Sequence, residues 1–276
     1  MKIVVGANGR LGTAICTALG AGEVIAPARS IYVDWWQPGM DKEIGAYLDK
    51  LDVPIECIFI AAGIIDPEVP ALIHEQVNFH LPRHILSAAE PRGIRVITFG
   101  TMMEVISEAK QVSAYIASKC ALAQHVQDGS LNALHVRVNT LYGGGAPTPR
   151  MFTGQMVAAL ATRSPFRMSP GNQLREYHHV DDEAQAILAL ASSSHRGVLN
   201  LNHGAPITLA DLAHRTFEAF GALNLLCLGA LPAPKNERFD VEYNRDPTLR
   251  EFSFRDALVA MPLYVRECLA ASGSNP

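Results

Sequence analysis

The sequence lacks any apolar run approaching the roughly 20 residues that a membrane-spanning helix needs. It also lacks a block of Lys or Arg, and its 23 basic and 27 acidic residues leave a net charge of −4. Because nucleic-acid surfaces require clustered positive charge, we expect no nucleic-acid partner. The chain opens on a glycine-rich motif where a signal peptide would carry an apolar stretch. These absences predict a cytoplasmic protein without membrane association.

Cysteine pairs and metal-ligand motifs are missing as well. The five cysteines lie far apart and form no C-x-x-C, which excludes the usual signs of a disulfide framework or a zinc site. His80 and His84 have helical i, i+4 spacing, but Pro82 lies between them and no third ligand is near. His178 and His179 lie in a strand-like stretch, where they would point to opposite faces. No metal is therefore expected.

Short β-rich runs alternate with helix-like segments through the first half of the chain. The predicted strands are KIVV, EVIA, IYV, ECIFIAA, RVITFG and LHVRVNTLY, and the helical segments are 10–20, 39–50, 66–90 and 115–127. Continuous apolar strands between helices indicate a parallel sheet covered on both faces. The pattern predicts an α/β fold with a Rossmann-type doubly wound parallel sheet.

The sequence pattern changes after Tyr142, where GGGAPTPR introduces a glycine run and two prolines. A dinucleotide-binding domain is thus predicted for 1–142, which also receives 177–202. The segments 143–176 and 203–276 would form a smaller C-terminal substrate-binding lobe. Within these parts, DDEAQAILALASSS and TLADLAHRTFEAFG read as helices, the latter beginning at Thr208 and closed by Gly221.

The stretch VVGANGRLGTAI places glycines at the spacing G-x-x-G-x-x-G between the first strand and the first helix. Glycine allows a tight turn and lets backbone N–H groups approach a pyrophosphate at the positive end of the helix. The alternative is a turn that merely needs positive φ angles. We interpret the loop as a dinucleotide site, with these candidate residues: Gly6, Asn8, Gly9, Arg10, Leu11 and Gly12.

The end of the second predicted strand bears on the choice of dinucleotide. An acidic residue there would bind the adenosine ribose and favour NAD, whereas an arginine accommodates a 2′-phosphate. The strand is followed by Ala28, Arg29 and Ser30, and Arg10 lies in the glycine loop. NADP(H) is therefore favoured, with NAD(H) possible and with solvated surface arginines as the alternative. Asp34 is a candidate for contact with the adenine amino group.

SAYIASKC sets Tyr115 four residues before Lys119, so that on a helix both polar ends face the same neighbourhood. A lone pair at this spacing is compatible with a tyrosine at the core edge beside a solvated lysine. With the glycine loop about a hundred residues earlier, the sequence resembles the short-chain dehydrogenase/reductase superfamily. Further matches indicate its extended branch, the nucleotide-sugar epimerases, dehydratases and reductases.

Those matches are five stretches. AAG at 61–63 resembles the turn after the fourth strand of the family, VNFHLPRHIL its V-N helix, and VRVNTLYGGG its R-x-x-N-x-Y-G-x-G stretch. REYHHVDDEAQAIL resembles its R-D-F-x-x-V-D-D helix start, and GVLNLNHGAPITLADLA resembles the strand and helix that usually follow. The resemblance covers residues 1 to about 215. The short connection between EVIAPARS and IYVD is most like small dTDP-4-dehydrorhamnose reductase-type members. The family resemblance implies further cofactor contacts at Ala61, Ala62, Gly63 and Asn78, besides Tyr115 and Lys119.

The resemblance also implies the chemistry. Tyr115 would exchange a proton with a substrate carbonyl, and Lys119 would lower the Tyr115 pKa and hold the nicotinamide ribose. Thr101 would polarise the carbonyl, unless it is only a strand-terminal residue bonded to backbone. Candidate substrate contacts are Met102, Thr140 and Arg175, the last being equally compatible with a structural ion pair.

Three departures from the family pattern narrow the expected reaction. Only fourteen positions separate Thr101 from Tyr115, and Thr140 stands where the family has asparagine. Met102 and Met103 stand where 4,6-dehydratases carry Asp-Glu, so dehydration is not expected. The resemblance implies an NADP-dependent reductase of a nucleotide-sugar or small keto substrate that forms a homodimer through 74–90 and 113–127. The alternatives are an epimerase that retains its cofactor and a non-catalytic dinucleotide sensor.

Overall fold

A computed structural model describes residues 1–107, 113–129 and 131–273. The chain divides into two compact units, the first formed by Met1–Val138 with Ala184–Leu201 and the second by Asn139–Glu183 with Asn202–Pro276. Among the described residues, none of the helices has both the length and the apolar character for crossing a bilayer.

The first unit is built on six parallel strands with helices between them. The strands are β1 (Lys2–Val5), β2 (Val24–Ile25), β3 (Cys57–Ile60), β4 (Arg95–Thr101), β5 (Ala133–Val138) and β10 (Gly197–Asn200). The helices are α1 (Arg10–Leu19), α2 (Arg29–Tyr32), α3 (Met40–Lys50), α4 (Ala71–Glu75), α5 (Leu81–Ala89), α6 (Met103–Ile106) and α7 (Ala114–Asp128). A π-helical turn (Gln76–His80) joins α4 to α5, and a 3₁₀ turn (Glu90–Arg92) follows α5.

The strand order is β10-β5-β4-β3-β1-β2, and every neighbouring pair is parallel. The chain passes outward from β1 to β2 and then returns to the other side of β1 as β3. Strand order thus reverses between β1 and β3, and in doubly wound sheets ligands bind outside the carboxyl ends of the strands at such a point. The predicted Rossmann-type sheet is confirmed.

The apolar strands of this sheet supply its core. Val4, Val5, Ile58 and Ile97 are at most 1% exposed, as expected for strands covered on both faces. Residues from α3, α5 and α7 pack on the sheet to form one buried cluster. The core therefore holds the carboxyl ends of β1, β3 and β4 in fixed positions.

The predicted strand IYV is wrong, because these residues belong to α2 and the turn after it. Ile31 and Val33 are exposed, whereas Tyr32, Trp35 and Trp36 reach the core cluster at a helical spacing of three to four. The Ile31 N–H bonds the Ala28 carbonyl at 2.9 Å and so closes the first turn. A run of three β-formers was too short to reveal this helical period.

The second unit contains the remaining elements: β6 (Thr140–Tyr142), α8 (Phe152–Thr162), β7 (Phe166–Arg167), β8 (Leu174–Arg175), β9 (Tyr177–His179), β11 (Ile207–Thr208), α10 (Leu209–Ala219), β12 (Leu226–Cys227) and α11 (Ala257–Ala271), with 3₁₀ turns at Leu223–Leu225 and Pro247–Leu249. Its strands form three two-stranded pairs. Residues from α8, α10 and α11 pack into a second buried cluster.

The unit boundaries differ from the sequence-based ones at residues 139–142, 177–183 and 202. These residues were assigned to the dinucleotide-binding domain, but β9 pairs with β6 within the second unit. Helix α9 (Val180–Ala191) follows, with three acidic residues in its first turn. The predicted start of α10 is confirmed, because the Thr208 hydroxyl accepts the Asp211 N–H at 2.9 Å.

Candidate active site

The glycine loop joins β1 to α1 with no room for side chains at two positions. Gly6 has φ +89°, and a Cβ on it would lie 2.4 Å from the Ala62 backbone nitrogen. A Cβ on Gly12 would lie 2.2 Å from the Gly6 carbonyl oxygen. Both distances are below any real Cβ contact, so this loop requires glycine for packing as well as for its turn.

The first turn of α1 leaves its backbone N–H groups available to an anion. Gly9 is the N-cap and offers no capping side chain, and the first turn contains no acidic residue. Asn8 and Gly9 are exposed, whereas Arg10 and Leu11 are half-buried. A bare glycine cradle at the N-terminus of a ten-residue helix fits the pyrophosphate of a dinucleotide.

The loop after β3 lies against both the glycine loop and the helix that carries the Tyr-Lys pair. Ala61 and Ala62 are half-buried beside Gly6. A Cβ on Gly63 would lie 3.3 Å from Asn78 Oδ1 and 3.7 Å from Lys119 Nζ. The structure thus places Gly6, the 61–63 loop and Lys119 in one neighbourhood.

The Asn78 side chain hydrogen-bonds the backbone of this loop. It is fully buried in the π-helical turn, where its Oδ1 accepts the Ile64 N–H and its Nδ2 donates to the Ile64 carbonyl, both at 2.9 Å. Nδ2 also lies 3.2 Å from the Ser118 hydroxyl on α7. Asn78 therefore connects the loop to α7 through its own amide, and π-turns are frequent at functional sites.

The predicted adenosine-side residues lie around α2. Arg29 and Ser30 form its first residues and are exposed, and Asp34 is exposed just beyond its end. The Asp34 carboxylate accepts a hydrogen bond from Gln37 Nε2 at 3.2 Å. All three are positioned by β2 and α2, on the side of β1 away from β3.

The three predicted catalytic residues come together at the end of β4 and the start of α7. The Thr101 side chain lies near enough to the Tyr115 phenol to lower its pKa. The Thr101 hydroxyl accepts the Met103 N–H at 3.2 Å, so it is bonded to backbone, which was the structural alternative. Lys119 is buried, and its Nζ donates to the Phe99 carbonyl at 2.8 Å.

The expected lowering of the Tyr115 pKa by Lys119 is not found among the protein groups. Burial raises the pKa of Tyr115 to about 12, the Thr101 hydrogen bond opposes this, and the charge of Glu104 adds to it. Burial also lowers the pKa of Lys119 to about 8, against the charge of Glu104. The Lys119 pKa is lowered because the ammonium is buried, where a charge is unfavourable, although it donates to the Phe99 carbonyl.

Sequence reasoning missed Glu104, which lies fully buried beneath Thr101. Its Oε1 accepts the Thr101 N–H at 2.8 Å, and its Oε2 accepts from Arg137 Nε at 2.7 Å. His135 Nε2 lies 3.4 Å from Oε1. Burial would raise the Glu104 pKa, but the hydrogen bonds and charges of these partners outweigh it and lower the pKa. An acidic residue three positions after a strand-terminal Thr was the available signal.

The predicted substrate contacts are divided between the units. Met102 is buried in the first unit, 3% exposed, so its side chain forms part of the packing. Thr140 and Arg175 belong to the second unit. Arg175 Nη2 lies 2.5 Å from Glu237 Oε2, and Nη1 donates to the Leu174 carbonyl at 2.7 Å. Arg175 is therefore an ion-pair partner, which was the structural alternative.

The second unit also contains a buried ionic cluster around His178, between two carboxylates. His178 Nδ1 lies 2.5 Å from Glu183 Oε2, and Nε2 lies 3.0 Å from Glu176 Oε2. Burial would lower the His178 pKa, but the two carboxylates raise it to about 9. The Glu176 oxygens accept backbone N–H groups of His203 and Gly204, each at 2.7 Å.

Glu176, His178 and His203 each have one potential metal-ligand atom, and these three atoms lie within 4.8 Å of one another. The rings of His178 and His203 are stacked, with centroids 4.8 Å apart and planes at 30°. Ligand lone pairs lie in the ring plane, so stacked imidazoles aim poorly at a shared ion. The hydrogen bonds of Glu176 and His178 account for the cluster without a metal.

Comparison with known proteins gives one family. The profile described as the NAD dependent epimerase/dehydratase family matches residues 2–202. No curated protein matches the chain.

Solved structures resemble the chain over nearly its whole length. The dTDP-glucose 4,6-dehydratase DesIV of Streptomyces venezuelae, with NAD bound, has a TM-score of 0.76 at 17% identity, covering 99% of this chain and 98% of its own. A UDP-N-acetylglucosamine 4-epimerase from Methanobrevibacter ruminantium has a TM-score of 0.75 at 16% identity, covering 98% of each chain. A dTDP-4-dehydrorhamnose reductase from Clostridium acetobutylicum has a TM-score of 0.73 at 18% identity, covering 97% of this chain and 99% of its own. At these identities the likeness is one of fold.

Proposed function

Because the chain belongs to the NAD dependent epimerase/dehydratase family, we propose that it is an NADP-dependent oxidoreductase that reduces the carbonyl group of a nucleotide-sugar or related small keto compound. It is an enzyme of the nicotinamide-dinucleotide type. The observation that carries the proposal is the proximity of the Thr101 and Tyr115 side chains, with Lys119 beside the loops that fit the cofactor.

Each side chain has a role that follows from its contacts. A bound nicotinamide supplies hydride to the carbonyl carbon. The Tyr115 phenol donates its proton to the carbonyl oxygen, while the Thr101 hydroxyl polarises the same oxygen. Lys119 holds the nicotinamide ribose from within the first unit, and the N–H groups at the start of α1 hold the pyrophosphate. The residues that hold a dinucleotide and those that move the proton thus belong to one unit.

Reduction and epimerisation both use the Tyr115 side chain, as a phenol that donates a proton in the reducing step and as a phenolate that accepts one in the oxidising step. The two reactions differ in the fate of the cofactor, which a reductase consumes and an epimerase retains. Burial raises the Tyr115 pKa to about 12, so the phenol is protonated in the free protein. An epimerase that retains its cofactor is the second candidate, since the family and the solved relatives include one.

The NADP preference rests on charge around the adenosine side. No acidic residue follows β2 at Ala28, whereas Arg29 begins α2 as an exposed guanidinium. A guanidinium binds a phosphate through paired, charge-assisted hydrogen bonds. We expect tighter binding of NADPH than of NADH by the purified protein.

Dehydration remains disfavoured because the positions after Thr101 carry no usable acid or base. Met102 is buried and Met103 is half-buried, and neither thioether titrates. Glu104 is the nearest carboxyl group along the chain, but it is fully buried and paired with Arg137. A non-catalytic sensor would need only the glycine loop, so the presence of Thr101, Tyr115 and Lys119 in one neighbourhood supports turnover.

The decisive experiment measures stoichiometry. Purified protein is incubated with a panel of nucleotide-sugars and simple ketones, with and without NADPH, while absorbance of the reduced nicotinamide is followed. A reductase consumes one NADPH per product, whereas an epimerase gives product without net consumption. A protein that binds NADPH but converts no compound in either format would contradict the proposal.

We also propose that the protein forms a homodimer through α5 and α7. The segments 74–90 and 113–127 are rich in Ala, Leu and Ile. Leu81, Ile85 and Leu122 pack into the core of the first unit, so the proposed interface uses the remaining faces of the two helices. Sedimentation equilibrium at micromolar concentration should give twice the mass of the 276-residue chain. A single species of monomer mass would contradict the dimer and leave the catalytic proposal untouched.

A further inference from the structure

We propose that Glu104 is a positioning residue of the active site, whose buried carboxylate holds the end of β4 so that the Thr101 hydroxyl meets that of Tyr115. This inference rests on the proposed function only in naming Thr101 and Tyr115 as the reacting pair. The contacts themselves are independent of any substrate. Glu104 lies on α6, three residues beyond Thr101, and is 3% exposed as a whole residue.

The carboxylate binds the backbone of the strand rather than the catalytic side chains. Its Oε1 accepts the Thr101 N–H at 2.8 Å, which fixes the last peptide of β4. The Thr101 hydroxyl is fixed a second time by the Met103 N–H. Hydrogen bonds to both the backbone and the hydroxyl of Thr101 fix its conformation before substrate binds. Such preorganisation of a reacting group increases the rate of the chemical step.

Gly100 provides the space that this contact needs. A Cβ at position 100 would lie 2.1 Å from Glu104 Oε1 and 2.2 Å from His135 Nε2. Gly100 has no positive φ angle, so turn geometry does not explain the glycine here. The strand therefore omits a side chain where the carboxylate and imidazole approach its backbone.

The groups facing Glu104 keep it ionised. Arg137 and His135 approach from β5, and Tyr115 and Lys119 lie on α7. Burial lowers the His135 pKa by more than Glu104 raises it, so the net shift disfavours the imidazolium. Arg137 is therefore the cation that balances the charge of Glu104. The negative charge in turn raises the pKa of Lys119 and that of Tyr115.

A cavity of about 410 Å³ opens on the other side of the carboxylate. Its lining includes Glu104, Arg137, Asn200, Gln127 and Cys120, all in the first unit. A small carboxylate could therefore reach the place of the Glu104 side chain if that side chain were shortened. This gives the proposal a test by chemical rescue.

The test uses the free protein and needs no substrate or cofactor. Lys119 is followed by NMR of protein labelled at the lysine Cε, with Lys119→Met to assign its signal. In Glu104→Gln, the titration midpoint should move down from about 8, because loss of the anion disfavours the ammonium. In Glu104→Ala the midpoint should also move down, and sodium formate should move it back.

Two controls separate this effect from general damage. Asp49→Asn removes another carboxylate of the first unit, which pairs with Arg92 at 2.5 Å, and should leave the Lys119 midpoint unchanged. Sodium chloride at equal concentration should not replace formate in Glu104→Ala. Circular dichroism of each variant checks that the fold is retained, and the near-isosteric Gln variant serves if the Ala variant unfolds.

Activity gives the second measurement, once a substrate is known. Glu104→Ala should lower kcat/KM by roughly 10- to 100-fold, as small misplacements of reacting groups do, and formate should restore a part. An unchanged Lys119 midpoint in Glu104→Gln would overturn the proposal, as would full activity in Glu104→Ala. Neither result would bear on whether the protein is a reductase, which the stoichiometry experiment decides.

Discussion

The Lys119 ammonium donates a hydrogen bond of 2.8 Å to the carbonyl oxygen of Phe99, two residues before Thr101 in β4. This bond connects α7 to the strand that carries Thr101, the proposed catalytic threonine. It also draws the charge into the interior, where burial lowers the Lys119 pKa to about 8. Lys119 therefore titrates at pH values where the enzyme can be assayed.

NADPH binding should accordingly weaken as the pH rises through about 8. The ammonium that we propose to hold the ribose exists below this pKa and is lost above it, so affinity should fall on the alkaline side. Equilibrium dissociation constants measured from pH 7 to 10 by nicotinamide fluorescence would show the trend. In Lys119→Met the same series should be flat and weak throughout, and a wild-type series without the fall would contradict the role of Lys119.

Tyr115→Phe should abolish turnover while changing NADPH affinity by no more than a few fold. The substitution removes the proposed proton donor, which lies near Thr101, but keeps the ring on α7. The loss should be at least about 10²-fold in kcat, the usual size of a general-acid effect. Tyr47→Phe, which alters a phenol of α3 packed against Trp35, is the matched control and should retain activity. Retained turnover in Tyr115→Phe would remove the phenol from the mechanism.

Alanine at Gly6 or Gly12 should disrupt dinucleotide binding. The added Cβ would meet backbone at 2.4 Å in the first case and 2.2 Å in the second, so the loop must move. We expect NADPH affinity to fall by at least about tenfold, or roughly 1.4 kcal/mol. Gly22→Ala adds the same atom with no neighbour within 4 Å and should bind normally. Calorimetric titration compares the three, and normal binding by Gly6→Ala would contradict the site.

Arg29→Ala should weaken NADPH binding by about tenfold and leave NADH binding unchanged, since only the former has a 2′-phosphate. The matched control is Arg196→Ala, which removes another exposed arginine of the first unit. Equal losses for both dinucleotides would show that Arg29 acts on the fold, and no loss for either would remove the basis for NADP preference.

The His178 cluster predicts a pH-dependent stability of the second unit. The folded pKa of about 9 exceeds the unfolded value of 6.5, so the stabilising contribution is complete below pH 6.5 and lost as pH rises towards 9. Urea unfolding at several pH values should show this fall. In His178→Gln it should be absent, and stability should be lower by roughly 3 to 5 kcal/mol because two buried carboxylates lose their cation.

The control for this prediction is an exposed histidine of the same unit. His214→Gln on α10 changes the same residue type without burial and should preserve both the stability and its pH dependence. A His178→Gln protein with the wild-type pH profile would show that another group titrates.

Sequence patterns predicted the sheet, the glycine loop and the Tyr-Lys helix, because each depends on short-range rules of spacing. The continuous apolar runs gave the buried parallel strands, and the helical interval placed Tyr115 and Lys119 on one helix, α7. The strand IYV was wrong because three residues cannot distinguish a period of two from one of 3.6.

The electrostatics of the site could not be predicted from spacing. Whether Lys119 lowers the Tyr115 pKa depends on the burial of both groups and on Glu104, which reaches the site through the backbone of a different element. Glu176, His178 and Glu183 lie within eight residues of one another, but their mutual bonding depends on how β9 meets the start of α9. Such contacts are set by tertiary packing.

Because of the π-helical turn at Gln76–His80, the number of residues in this segment determines how α5 is oriented on the core. A π-turn holds one residue more than an α-helical turn, and each residue of an α-helix advances the rotation by about 100°. Deleting one residue there would leave an unbroken helix, yet it would swing the buried face of α5 away from the core and withdraw the Asn78 amide from the Ile64 backbone. Substitutions in this segment would remove individual contacts. A change in its residue count would shift α5 relative to the residues before it and also break the contact with the loop after β3.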